Sequence, residues 1–217
     1  MRTVANKWSK WSVLEKHAGV AKHLPESCLF QEQQLKSMLD RHPFVVAKPL
    51  VGSGGSGVVK IEKVDGKYRY QVQGKTAVAN TWDELMSALV RIRKGRRYLL
   101  QQGIAVAPVH GRRVDYRVKL VKKDRRWVVT AVVAKLARSG FFVTNLCRGG
   151  TLWSASRALR HTFPKLAADK KKTMIGVART CTALLEKRYP GIGELGYDFG
   201  IDRQGSVWLF EVNTRPQ

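Results

Sequence analysis

Asp198, Glu211 and Asn213 are the side chains of this 217-residue chain whose spacing best suits them to chemistry. The run Gly196-Tyr197-Asp198-Phe199-Gly200-Ile201 leads through Asp202-Arg203-Gln204-Gly205 into Val207-Trp208-Leu209-Phe210-Glu211-Val212-Asn213, the pattern of two strands joined by a turn. Residues two apart on a strand share a face, so Glu211 and Asn213 point the same way. Pairing Ile201 with Ser206 sets Asp198 opposite Leu209 and diagonal to Glu211 on that face. Trp208, Phe210 and Val212 then fill the other face as core. Three oxygen-bearing side chains thus converge on an otherwise apolar hairpin. Buried carboxylates are costly unless compensated, and Mg²⁺ held by one or two carboxylates plus phosphate oxygens is one compensation. Ion pairing with some of the 40 Lys and Arg residues is the other.

A second candidate is Gly52-Ser53-Gly54-Gly55-Ser56-Gly57. It is not a Walker A loop, because Val58 stands where Lys followed by Ser or Thr is required. It matches G-x-G-x-x-G, but a dinucleotide fold needs a helix directly after the glycines. Here Val58-Val59-Lys60-Ile61 alternates as a strand does. The unit is therefore strand, glycine loop, strand: a flap whose backbone N–H groups can fold over phosphates. A plain surface hairpin is the alternative, and Lys48-Pro49 weighs against it by aiming a cation at the same place. Gly52, Gly54, Gly57 and Val59 together with Asp198-Phe199-Gly200 imitate a protein kinase. H-R-D-x-x-x-x-N is nowhere present, and an apolar helical stretch, 170–188, occupies its place before Asp198, so the kinase reading fails.

The elements that must position these groups are legible in outline. Trp8, Trp11 and Leu14 recur at helical spacing in 6–17, as do Leu35, Met38 and Leu39 in 31–41. Phe44–Lys48 reads as a buried strand halted by Pro49. Asp65-Gly66 is a hairpin turn between 58–64 and 68–72. Thr81-Trp82-Asp83-Glu84 is a capping box opening a helix that closes at Arg91, Arg93 and Lys94. The second half reads as strands at 98–101, 114–121, 127–136, 196–201 and 207–213. One long helix interrupts them, capped at Asp169 and ended by Tyr189-Pro190-Gly191. Hairpins with helices between them give an α+β fold with antiparallel sheets. Two lobes are expected in a single domain over 1–217, with subdomains 1–98, carrying the flap at 50–58, and 99–217, carrying the carboxylate hairpin.

Composition bounds the rest. An apolar content of 44% supports a core and excludes a disordered tail. No apolar run is long enough to span a bilayer, and no signal peptide is visible, so a cytoplasmic location is expected. Cys28, Cys147 and Cys181 stand far apart, as free thiols do. The net charge is +24, and residues 91–138 hold 15 Lys and Arg against Asp115 and Asp124. That field favours anionic partners of any kind. Specific nucleic-acid recognition is not expected, because the aromatics are not interleaved with the basic clusters.

Taken together, the motifs resemble the ATP-grasp superfamily, and within it the YheC/YheD-like group. The matching stretches are Asn6-Lys7-Trp8, Val46-Ala47-Lys48-Pro49 with the glycine loop, Tyr98–Ile104, Asp115-Tyr116-Arg117-Val118, Val143–Leu146 with Arg148-Gly149-Gly150, and Glu211–Pro216. The resemblance implies two α+β lobes gripping ATP, and an ATP- and Mg²⁺-dependent ligase joining a carboxylate to an amine through an acyl phosphate. It assigns phosphate contacts to Lys48 and Lys7 and the flap residues Gly52, Ser53, Gly54, Gly55, Ser56 and Gly57. The adenine pocket falls to Gln101, Gln102, Gly103 and Ile104, and metal binding to Asp198, Glu211 and Asn213. Arg117 would stabilise the transferring phosphoryl group. Lys135, Asn145, Arg148 and Arg215 would touch phosphate or carboxylate, with a solvated surface role as the alternative for each. Ligases of this kind carry a further N-terminal domain that is missing here, so a partner protein could replace it. The charge suggests an acidic peptide or polymer as substrate. The competing expectation is a catalytically reduced nucleotide-binding module that docks on an anionic partner.

Overall fold

The structure, a computed structural model, describes residues 2–52 and 54–216; Ser53, one of the expected phosphate contacts, lies outside them. In chain order the elements are α1 (Lys7–Leu14), α2 (Ala18–Ala21), β1 (Ser27–Leu29), α3 (Glu32–Arg41), β2 (Val45–Pro49), β3 (Val59–Val64), β4 (Lys67–Val72), β5 (Lys75–Ala79), α4 (Trp82–Arg93) and β6 (Tyr98–Gln102). There follow β7 (Val114–Lys123), β8 (Arg126–Leu136), β9 (Thr151–Ser154), α5 (Ala155–Thr162), α6 (Ala167–Arg188), β10 (Glu194–Ile201) and β11 (Val207–Asn213).

The strands form two antiparallel sheets, ordered β1-β6-β2-β3-β4-β5 and β11-β10-β7-β8-β9. Each sheet is covered by helices with their own core. Leu35, Met38 and Leu39 of α3 and Leu85 and Leu89 of α4 pack on Val45, Ala47, Val59, Ile61 and Leu100. Met174, Val177, Ala178, Cys181 and Leu185 of α6 pack on Val118, Leu120, Tyr197 and Phe199. The α+β architecture is as expected.

The lobe boundary at 98/99 needs correction. Strand β6 belongs to the first sheet, paired with β1 and β2. Trp11, Leu14, Val20 and Leu24 join the core of the second sheet, although they open the chain. Burial chose the side: Leu14 and Val20 are apolar and find their partners against α6. Helix α6 starts at Ala167, so Asp169 lies in its first turn and is not its cap. There its charge still favours the positive helix end. The three cysteines are unpaired. Among the described residues no helix is long and apolar enough to cross a membrane.

Candidate active site

Between the sheets lies a cavity of about 590 Å³. Its wall brings together Lys7, Lys48, Gly52, Gly54, Gly55, Ser56, Gln101, Gln102, Ile104, Arg117, Lys135, Asn145, Asp198, Glu211, Asn213 and Arg215. Gly57, Gly103 and Arg148 stand off that wall. The Gly57 carbonyl accepts from the Tyr98 hydroxyl at 2.9 Å, which anchors the end of the flap. Gly103 donates its N–H to Phe44 O at 2.8 Å, and a Cβ there would meet the Phe44 ring at 2.1 Å. Gly103 is thus required for packing behind the pocket. Arg148 reaches the flap itself, at 3.5 Å from Gly54 O.

The flap is set by glycine. Gly54, Gly55 and Gly57 have φ of +66°, +70° and +73°, where a Cβ is strained. A Cβ on Gly55 would also come within 2.6 Å of Asn145 Oδ1. Asn145 therefore belongs to the loop on which the flap closes. Lys7 ties the other side, donating to Gly52 O at 2.9 Å and standing 3.5 Å from Glu211.

The carboxylate hairpin corrects the expected register. Ile201 pairs with Val207 in place of Ser206, and a β-bulge between Asp198 and Phe199 shifts the register once more, so Asp198 lies directly opposite Glu211. An extra residue on β11 shifts the alternation. Val207 and Leu209 therefore share the core with Val212, while Phe210 packs on Ile104 and Val106 with Trp208 beside it. The prediction that Trp208, Phe210 and Val212 share one core face is wrong for this reason. The bulge also turns Phe210 into the cleft wall beside Glu211.

Asp198 is held hard. Arg117 grips it with two bonds, Nε to Oδ1 at 2.8 Å and Nη2 to Oδ2 at 2.7 Å, and Lys135 Nζ donates to Oδ1 at 2.8 Å. Burial alone would raise its pKa, but Lys135 and Arg117 outweigh burial and bring it down to about 2. Lys48 contrasts with it. Its ammonium is bonded to Gln101 Oε1 and lies 3.4 Å from Phe210 O. Burial lowers its pKa to about 8 against the pull of Glu211.

Two charged wall residues, Arg113 and Asp115, escaped the sequence reading as site residues. Arg113 rests 4.4 Å from the Phe142 ring centre and 5.2 Å from that of Phe210. Asp115 accepts from Thr144 at 2.6 Å and stands 3.4 Å from Arg113. Its Oδ1 is nonetheless buried without a hydrogen-bond partner among the described residues. The alternation of β7, which puts Asp115, Arg117 and Lys119 on one face, was the available signal for Asp115. Arg113 precedes that strand and carried none.

Two sheets closing on one nucleotide-sized cleft, with a glycine flap above and a carboxylate hairpin below, define an ATP-grasp fold. The solved N5-carboxyaminoimidazole synthase of Aspergillus clavatus, determined with ADP and 5-aminoimidazole ribonucleotide, shares it with a TM-score of 0.62 at 14% identity, over 100% of this chain and 46% of that one. The chain belongs to the YheC/D-like ATP-grasp family, whose model matches residues 2–217. It is 30% identical to the endospore coat-associated protein YheD of Bacillus subtilis (strain 168), covering 99% of this chain and 49% of that protein. It is 23% identical to YheC of the same organism, covering 99% and 61%. The chain thus spans about half to three fifths of the curated relatives it matches.

Proposed function

We propose that this chain binds ATP with Mg²⁺ and ligates a carboxylate to an amine. The observation that carries the reading is the convergence of Lys7, Lys48, Lys135 and Arg117 with Glu211 and Asn213 on one cavity roofed by the glycine flap. ATP with Mg²⁺ supplies an activated phosphoryl group to the carboxylate, from which an amine then displaces phosphate. The donor set fits. Glu211 and Asn213 offer hard oxygen atoms of the kind Mg²⁺ takes alongside phosphate. Asp198 joins as a third oxygen donor, with most of its acceptor capacity spent on Arg117 and Lys135.

The remaining roles follow from position. Ile104 offers its N–H, which has no backbone partner among the described residues, to the edge of the base. Asp115 Oδ1, 3.4 Å from Arg113 Nε and without a hydrogen-bond partner among the described residues, accepts a ribose hydroxyl. Lys48 and Lys135 neutralise phosphate charge from opposite sheets. Arg117 holds negative charge as it develops on the transferred group, where a fixed cation is worth most. The flap excludes water as it closes on Asn145.

One observation favours a second reading. Arg117 and Lys135 already engage Asp198, so a nucleotide-binding module without chemistry is also self-consistent. Calorimetric titration with ATP and Mg²⁺ separates the first question from the second. Lys48→Ala is expected to weaken ATP binding roughly ten- to hundred-fold, and unchanged affinity would remove Lys48 from the phosphate site. ADP release that depends on both a carboxylate and an amine supports the ligase. ATP binding without such release in any combination supports the module.

A further inference from the structure

The floor of the cleft is one face of the second sheet, and its register sorts side chains by strand. Glu211, Asp198, Arg117 and Val133 are directly opposed in one row. Asn213, Gly196, Lys119 and Ala131 form the next. Leu152 of β9 opposes Lys135 of β8. The chemistry therefore changes from oxygen ligands on β10 and β11, through cations on β7, to an apolar wall on β8 and β9.

That wall is not core. Ala131, Val133 and Leu152 all line the cavity, and Leu152 is 55% exposed despite its size and apolarity. Lys135, the cleft-facing cation of β8 among the described residues, is buried and committed to Asp198. The cations opposite this wall, Lys119, Arg117 and Lys135, already hold Glu194 and Asp198, so an acidic substituent laid on it would have to compete with those carboxylates. An aliphatic one would gain from removing Leu152 and Val133 from water.

We infer that the carboxylate substrate carries a short aliphatic substituent, its carboxylate over Arg117 and Lys119 and its substituent against Ala131, Val133 and Leu152. The inference rests on the ligase reading and narrows it. It departs from the acidic substrate suggested by the charge of residues 91–138. Part of that charge, at Lys122, Lys123, Arg125 and Arg126, sits exposed at the β7–β8 turn, outside the cavity wall.

Hydroxylamine trapping tests this without knowledge of the natural amine. A carboxylate oxygen takes the terminal phosphoryl group as its bond to ADP breaks. The hydroxylamine nitrogen then attacks the acyl carbon, the carbon–oxygen bond to phosphate breaks, and a proton leaves to solvent, giving hydroxamate and phosphate. The full chain, with ATP and Mg²⁺, is offered alanine, valine and leucine against aspartate and glutamate. Hydroxamate is expected from the aliphatic set in preference. Leu152→Asp should lower kcat/KM for valine and leucine roughly ten- to hundred-fold, Leu152→Met should restore it, and ATP affinity should not move in either. Preferential use of aspartate or glutamate, or unaltered discrimination in folded Leu152→Asp, overturns the inference and leaves the ligase reading standing. ATP binding with no hydroxamate from any carboxylate overturns both.

Discussion

The two sides of the cleft present charge-binding groups by opposite means. On the first sheet the flap works through backbone, in conformations that only glycine adopts without strain: φ is +66° at Gly54 and +70° at Gly55. On the second sheet Arg117, Lys135 and Asp198 work through side chains locked to one another on neighbouring strands. The flap is held at its base, by Tyr98 to Gly57 and Lys7 to Gly52. The hairpin is held throughout its length by strand pairing on both sides of β10. Backbone donors on an anchored loop can close around a ligand of changing charge. Side chains fixed in a sheet cannot move far, so on the ligase reading they suit the place where charge would develop during reaction.

Breaking the fixed side should cost most. Asp198→Ala leaves buried Lys135 and Arg117 without their carboxylate, and urea unfolding should show a loss of about 3–5 kcal/mol. The same pair sets acid stability. With the Asp198 pKa held down to about 2 in the fold against about 3.9 when unfolded, its contribution is complete above pH ~4 and is lost as pH falls towards ~2. It amounts to roughly 2 kcal/mol, and the variant should lack that limb.

Glu211→Gln probes the same hairpin where it meets solvent. Glu211 is half-buried and its contact with Lys7 is 3.5 Å long, so stability should change by less than about 1 kcal/mol. Mg²⁺-dependent turnover should nevertheless fall roughly 100-fold or more. Normal turnover would remove Glu211 from the metal site.

Lys48, on the first sheet, sharpens the contrast through pH. Its ammonium is pushed down to about 8 by burial, so above that pH a triphosphate must bring a proton with it. Affinity should then fall by up to about tenfold per pH unit. Lys10 is also lowered to about 8 by burial, so Lys48→Met, which should flatten the profile, assigns the effect. A profile unchanged in that variant would place the proton elsewhere.

The smallest effect belongs to the flap. Gly55→Ala combines a strained φ with a Cβ 2.6 Å from Asn145 Oδ1, whereas Gly66→Ala has a φ of +75° and nothing within 4 Å. Both should lose about 1 kcal/mol through strain. Thermal unfolding should show Gly55→Ala as the less stable, and ATP affinity should drop in that variant alone. Equal affinity loss in both would mean that the flap does not close on Asn145.

Much of the frame could be read from local pattern. The helix through Leu85 and Leu89 begins where Thr81 accepts from the Glu84 N–H, at 3.2 Å, and Asp65-Gly66 turns between β3 and β4 with φ of +50° and +75°. Shorter elements escaped. Strands β1 and β9 have three and four residues, too few for a period to show, and β5 is exposed at four of its five positions. Helix α5 did carry a signal in Ser154, whose hydroxyl accepts from the Arg157 N–H.

The sequence by itself determined which residue types line the cleft, because glycine runs, strand-end lysines and paired carboxylates have few uses and their local spacing sets their direction. Tertiary structure alone decided three things: that α1 packs with the second sheet, that the hairpin register and a bulge set Asp198 opposite Glu211, and that the cations of β7 border an apolar wall. Each is a choice of partner between segments remote in the chain. Such choices are made by burial and register across strands, to which no stretch of neighbouring residues holds the key.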